Sequence, residues 1–343
     1  MEDAFGRGPD FSIGVEEELM ILDAGTLDQV GAVDVLLRET EGLELPGLLK
    51  TELFASVFEL TTPVCATVDE AIASLRELRR AAAGAAAANG LAIAAAGSHP
   101  FAVPERQPVV QEERYTSFVE YAGVSARRQG VQGLHVHVGM PDGETCWRVL
   151  ENVLPWLPLV LALSANSPYV GGEATGMMSN RAGLLAELPR SGAPPAFGSY
   201  AGWEEWVERL VRLGVTADYT RIWWDVRPHP RLGTLEIRMA DQPTSLERTR
   251  ALVDLVVSLC RTLAGQESGP AGRGDYLQNR WAAARFGPRA ELIHPDGSRV
   301  AGVPGLAAEV GWPLDPARCE GDDQLASGSP QAAAAWLVEA TLG

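Results

Sequence analysis

Three consecutive glutamates, Glu16, Glu17 and Glu18, lie inside "FSIGVEEELMILD", a run that is apolar at both ends and reads as a β-strand. Side chains on a strand alternate between its two faces. Phe11, Ile13, Val15, Glu17, Leu19 and Ile21 therefore share one face, while Glu16 and Glu18 project together from the other, beside Gly14. The same alternation recurs in three more segments. In "GLHVHVG", Leu134, Val136 and Val138 point one way and His135 and His137 the other. In "TLEIRMAD", Leu235, Ile237 and Met239 face a core while Glu236 and Arg238 point away. In "VFELTTP", Glu59 opposes Phe58 and Leu60. Four strands thus carry one apolar face and one face of Glu, His or Arg.

An antiparallel sheet with one solvated face also alternates. Ordinary wet faces, however, use Thr, Lys, Ser and Gln, and Lys50 is the only lysine in this chain. The positive charge is nearly all arginine, whose planar fork suits bidentate recognition of carboxylates and phosphates. Carboxylates gathered this closely raise one another's pKa unless a cation joins them. An oxygen-rich set with one imidazole suits Mg²⁺ or Mn²⁺. A zinc site would show Cys or further closely spaced His.

The elements that must position these faces follow from local patterns. Thr67 with Glu70 forms a capping box that opens an alanine-rich helix ending at Asn89-Gly90, and 109–129 reads as one amphipathic helix. The apolar stretch "VLENVLPWLPLVLALSA" contains Glu151, Asn152, Pro155 and Pro158 and reads as a buried, broken helix, not a membrane span. "RIWWDVRPHPRLGTLEIRMAD" reads as two strands joined by a turn, and the pattern from Thr244 onward is helical with one glycine-rich break at 294–298. Strands and helices do not alternate regularly, which disfavours a doubly wound parallel sheet. The expected fold is α+β: a largely antiparallel sheet with helices on its outer face, built as one catalytic domain over 1–343. The Gly/Pro-rich stretch 168–200 is expected to be an active-site lid, because loops that long inside a domain are usually functional.

Composition narrows the function. With 28 basic and 45 acidic residues the formal charge is −17, which repels nucleic acid and anionic membranes. Mean hydropathy is −0.01, and "MEDAFGRGPD" has neither the basic nor the apolar region of a secretory signal. Cys65, Cys146, Cys260 and Cys319 are far apart and read as reduced thiols of a cytoplasmic protein. No GxxxxGK[ST] loop, GxGxxG turn or GxSxG elbow occurs, so any ATP is held by metal and arginine.

These residues resemble a known family. "GVEEELMILD", "ELFASVFELTTPVC", "GSHPF", "GLHVHVGMPD", "ANSPYVGGEATG", "SGAPPAFGSY", "RIWWDVRPHPRLGTLEIRMADQPT" and "QNRWAAARFG" occur in the order found in bacterial carboxylate–amine ligases of the glutamate–cysteine ligase type 2 family. The resemblance runs from about Phe11 to Gly287, and it is the combination of motifs that is specific. It implies a curved antiparallel sheet like the catalytic domain of glutamine synthetase, holding ATP and Mg²⁺ or Mn²⁺. It also implies a reaction in which ATP phosphorylates a carboxylate, usually the γ-carboxylate of glutamate, and an amine displaces the phosphate. By motif, Glu16, Glu18, Glu52, Glu59, His135 and Glu236 resemble metal ligands, and Arg238 the phosphate-side arginine. Arg227 is a second candidate catalytic arginine, with His137, Arg181 and Trp224 as candidates for substrate or nucleotide binding. Of Trp223 and Trp224, which alternate, one is expected in the core. Glu52 differs in strand phase from Glu59, so a loop or bulge must bring it to the site. A homodimer is expected from the family. The competing reading is a metal-dependent hydrolase or amidase that uses the same Glu/His cluster without ATP.

Overall fold

A computed structural model of the chain describes residues 3–267 and 271–343. Its centre is a seven-stranded, wholly antiparallel sheet. The strands are β1 (Ile13–Asp23), β2 (Leu48–Thr51), β3 (Val57–Thr61), β4 (Leu91–Ala94), β5 (Leu134–Gly139), β6 (Val226–His229) and β7 (Thr234–Ile237). They run in the order β6-β7-β5-β1-β3-β2, with β4 paired to β1. Glu16 pairs with both Thr61 and His135, and Met20 with both Val57 and Ala94. One edge of β1 therefore holds β3, and the other holds β5 along its first half and β4 along its second.

The two faces of β1 divide as the alternation requires. Ile13, Val15, Leu19 and Ile21 are buried in one core with Leu134, Val136, Leu235 and Ile237. The helices Val68–Ala87, Gly143–Val153, Leu157–Ser164 and Leu246–Leu263 cover that face. The Val68–Ala87 helix starts as expected, with the Thr67 hydroxyl accepting from the Glu70 N–H at 3.2 Å. The apolar run 143–164 is long and apolar enough to span a membrane, but it breaks at Leu154–Trp156 and is mostly buried within the fold.

The opposite face of β1 is open at Glu16 and Glu18 but not beyond. Met20 and Leu22 pack with Ala94, Ala96 and Leu337, and the C-terminal helix Pro330–Thr341 closes that end. The open face is thus bounded by sequence: acidic positions stay uncovered, and apolar ones attract a helix.

Two local expectations change. The amphipathic stretch after residue 109 forms two helices, Glu113–Ala122 and Val124–Arg127, because Gly123 turns at φ 59°. The segments flanking the break at 294–298 are not helical: Glu291–Ile293 and Val300–Gly302 form a hairpin. All four cysteines are buried and unpaired.

Candidate active site

Cross-strand register gathers the polar face of the sheet. Arg227 stands opposite Glu236, and Glu236 opposite His137. His135 stands opposite Glu16, Glu18 opposite Glu59, and Glu59 opposite Lys50. All of these but Lys50 line a cleft of about 560 Å³, walled by Phe118, Val131, Leu185, Leu188 and Trp223. That volume is in the range of small-molecule sites. A larger cavity of about 920 Å³ lies among the helices, where Glu151, Asp275, His294, Asp296 and Glu309 contribute its polar lining. Among the described residues, the groups of three or more ligand atoms close enough to hold a metal ion are both in the cleft.

The first group is Glu16, His137 and Glu236, and the second is Glu18, Glu52 and Glu59. Within each, one ligand atom per residue lies within 4.8 Å of the others. The hard oxygen sets fit Mg²⁺ or Mn²⁺, one with an added imidazole. The Nε2 atoms of His135 and His137 are buried without a hydrogen-bond partner, and such orphans call for a ligand. His137 Nε2 is 3.5 Å from Glu16 Oε1.

The two groups differ electrostatically. Glu236 is buried, which favours its neutral form, but Arg227 and Arg238 outweigh burial and hold its pKa well below the usual carboxylate range. Arg227 Nε is 2.5 Å from Glu236 Oε2, and Arg238 Nη1 contacts Oε1. Glu16 is likewise held well down, with His137 and His135 prevailing over burial. In the second group burial dominates. It pushes Glu52 well up, aided by Glu18 and Glu59, and lifts Glu59 to about 7, where Glu16 reinforces it and Lys50 opposes it. Lys50 Nζ is 3.2 Å from Glu59 Oε1. The second group thus holds more negative charge than Lys50, beside Glu59, and Arg114, acting on Glu52, balance.

Most expected site residues reach the cleft, with corrections. Glu52 does so from the loop just past β2, as its phase required, and its carboxylate accepts from the Leu53 N–H at 2.8 Å. His137 belongs to the first ligand group. His135, expected as the ligand, lies outside both groups and braces them, with Nδ1 3.2 Å from Glu16 Oε2 and Nε2 3.9 Å from Glu18 Oε1. By register His137 is opposite Glu236 and His135 is opposite Glu16. Trp224 does not face the cleft: it is 2% exposed and stacks on Trp206 at 5.5 Å. Trp223 takes the cleft position, 5.0 Å from Phe118.

The arginines divide their work. Arg227 gives its remaining donor atom, Nη1, to the Thr220 and Ile222 carbonyls. Arg181 donates to the Met239 and Arg238 carbonyls at 3.2 and 3.1 Å, so it is tied into the wall, with Nε left without a partner. Arg238 is the more open of the two arginines on Glu236, at 18% side-chain exposure against 8% for Arg227.

His229 and Thr234, not among the residues expected from the sequence, pair across the β6–β7 hairpin. His229 packs edge-on to His137 with ring centroids 5.4 Å apart, and burial holds its pKa down at about 4. Thr234 Oγ1 is 2.9 Å from His137 Nδ1. Both lie two residues along from Arg227 and Glu236, so the same alternation carried one step further reaches them.

The family model for glutamate–cysteine ligase family 2 matches residues 12–319. A Rubrobacter xylanophilus protein, provisionally named glutamate–cysteine ligase 2-3, is 41% identical over 90% of this chain and 85% of its own length. A Haloferax volcanii protein named glutamate–cysteine ligase is 37% identical over 88% of this chain and 85% of its own. Among solved structures, the glutamate–cysteine ligase of Francisella tularensis in complex with AMP superposes with a TM-score of 0.66 at 15% identity, covering 99% of this chain and 88% of that one. A bifunctional glutathione synthetase from Pasteurella multocida gives 0.61 at 15% identity, over 97% and 51%. At such identities these two show the shared fold.

Proposed function

The chain belongs to the glutamate–cysteine ligase family 2, an assignment that makes it an ATP-dependent carbon–nitrogen ligase, and from that premise we propose how its cleft works. The donor is an amino-acid carboxylate, the γ-carboxylate of glutamate, and the acceptor is an amine. The observation that carries this reading is the pair of three-residue ligand groups, side by side on one sheet face with Arg238 against them.

A carboxylate and a nucleotide γ-phosphate repel each other, so joining them requires concentrated positive charge. Mg²⁺ or Mn²⁺, held by Glu16, His137 and Glu236 and by Glu18, Glu52 and Glu59, would supply that charge. The chain's own residues do the rest. Arg227 fixes Glu236 and keeps it ionised. Arg238 offsets charge on the transferring phosphoryl group. The donor carboxylate oxygen attacks the γ-phosphorus and ADP leaves. The amine nitrogen then attacks the acyl carbon, and phosphate departs with the donor's oxygen. Leu185 and Leu188, on the segment 168–200 expected to be a lid, supply the apolar wall that keeps water from the acyl phosphate.

The test is ADP release across pairs of acids and amines with Mg²⁺ and Mn²⁺. ADP and phosphate are expected only when both substrates are present, and ¹⁸O placed in the donor carboxylate should emerge in phosphate. Turnover without ATP would support the hydrolase reading, and AMP with pyrophosphate would point to adenylation.

A further inference from the structure

On the reading that the cleft seats an anionic donor, we propose that Arg280 is a positioning residue. By neutralising Asp225, it keeps Arg181 an unpaired cation at the cleft wall.

Asp225 sits at a bend between the short strand Trp223–Trp224 and β6. Its carbonyl accepts from the Arg238 N–H at 2.9 Å, and its own N–H donates to the Gly192 carbonyl at 2.9 Å. The carboxylate is buried and taken up by the helix Arg273–Phe286, which lies outside the cleft lining. Arg280 grips both oxygens, with Nε 2.8 Å from Oδ2 and Nη2 3.2 Å from Oδ1, and the Tyr276 hydroxyl donates to Oδ2 at 2.7 Å. Arg280 Nη2 also donates at 2.9 Å to the carbonyl of Ala182, the neighbour of Arg181 in the chain. One guanidinium therefore ties a remote helix to the backbone behind two cleft arginines.

Arg181 has the opposite environment. It is a buried part of the cleft lining, it donates to two backbone carbonyls, and its Nε has no partner. Among the described residues it makes no ion pair. The carboxylates that act on it are Asp241, Glu18 and Asp225. Each has another claim. Asp241 accepts from the Ser167 and Ser179 hydroxyls and the Asn166 N–H. Glu18 belongs to the second ligand group and accepts from the Gly133 N–H. Asp225 is the one neutralised by another arginine. Without Arg280 it becomes a buried carboxylate lacking its cation, close to a buried cation lacking an anion. Attraction at low dielectric then draws the two together, and the charge of Arg181 is lost to the cleft.

The experiment compares full-length wild type, Arg280→Gln, Asp225→Asn and the Asp225→Asn/Arg280→Gln double variant, with urea unfolding to establish that each is folded in the assay. Both single variants break the same ion pair, so a merely structural role gives equal damage from each. Unequal damage is expected. Arg280→Gln should raise KM for glutamate by about 10–100-fold, the worth of a charged hydrogen bond, with KM for ATP near wild type. Its crystal structure should show Arg181 turned onto Asp225, at an ion-pair distance of about 4 Å or less. Asp225→Asn and the double variant should keep KM for glutamate near wild type, because Arg181 then has no anion to pair with. An Arg181 that stays on the Met239 and Arg238 carbonyls in Arg280→Gln overturns the proposal, as does an equal rise in KM in the two single variants. If Arg280→Gln does not fold, the double variant decides: KM for glutamate near wild type sustains the proposal, and a raised one overturns it. A wild type that releases no ADP with glutamate, beside an Arg280→Gln structure with Arg181 on Asp225, fails the donor reading and leaves the positioning role standing.

Discussion

Glu17 and Arg79 form a two-armed ion pair, 2.7 Å on each arm, in which neither side chain is more than 1% exposed. Glu17 also accepts from Gln242 and Thr249, and Arg79 donates to the Pro243, Thr244 and Thr341 carbonyls. The central glutamate of the triplet is therefore structural. It ties β1 to the Val68–Ala87 helix, while its two neighbours serve the cleft.

This division predicts opposite phenotypes from adjacent substitutions. Breaking a buried pair by removing one partner costs about 3–5 kcal/mol. Glu17→Gln should lose stability on that scale in urea unfolding yet retain the rise in Tm on adding Mg²⁺ and nucleotide, since ligand binding stabilises the folded state. Glu16→Gln and Glu18→Gln should keep their stability without metal and lose much of that rise. Equal behaviour at all three positions would defeat the assignment.

The polar face was legible in the sequence because strand alternation has a strict period of two, so Glu16, Glu18, Glu59, His137 and Glu236 could be placed without knowing which strands pair. What pairing decides was not legible. Which carboxylate each histidine meets depends on pairing, His135 standing opposite Glu16 and His137 opposite Glu236. The choice between Trp223 and Trp224 needed the phase carried back from β6, where Val226 is buried like Trp224 and Arg227 lines the cleft like Trp223. The Arg79 partner of Glu17 comes from 62 residues away on a helix, beyond any local pattern. The hairpin Glu291–Ile293/Val300–Gly302 has strands of three residues, too short to show a period.

Charge imbalance in the second ligand group gives a pH dependence with a defined sign. Glu59 has a pKa of about 7 in the fold against an ordinary 4.5, and Glu52 shifts the same way. A carboxyl raised on folding binds its proton more tightly in the native state. Its stabilising contribution is complete below the ordinary value and is lost as pH rises through about 7. The buried histidines His99 and His229, held near 4, act in the opposite sense, but only below their ordinary 6.5. Above pH 6.5 the carboxyls act in the same sense as His137, which Glu16 raises against burial, and as His294, which its hydrogen bond to Glu309 raises. Without divalent cations Tm should fall across this window. Saturating Mg²⁺ should flatten the fall, because the cation takes the ionised ligands and releases their protons. A Tm independent of pH in metal-free buffer would count against the strain assigned to Glu52 and Glu59.

The two arginines on Glu236 differ in how fully their donors are engaged. Arg227 has all three guanidinium nitrogens engaged, two on Glu236 and Nη1 on the Thr220 and Ile222 carbonyls, and its side chain is 8% exposed. Arg238 is more open and uses one arm on the same carboxylate. Arg227→Gln should thus lose about 3–5 kcal/mol of stability, as expected for a disrupted buried pair. Arg238→Gln should fold normally and lose about 10²–10³ in kcat, the scale of removing one preorganised donor from a developing anion. Both are read by urea unfolding alongside ADP release under saturating substrates. Wild-type turnover in Arg238→Gln would remove this residue from the phosphoryl-transfer step and leave Arg227 to carry that role.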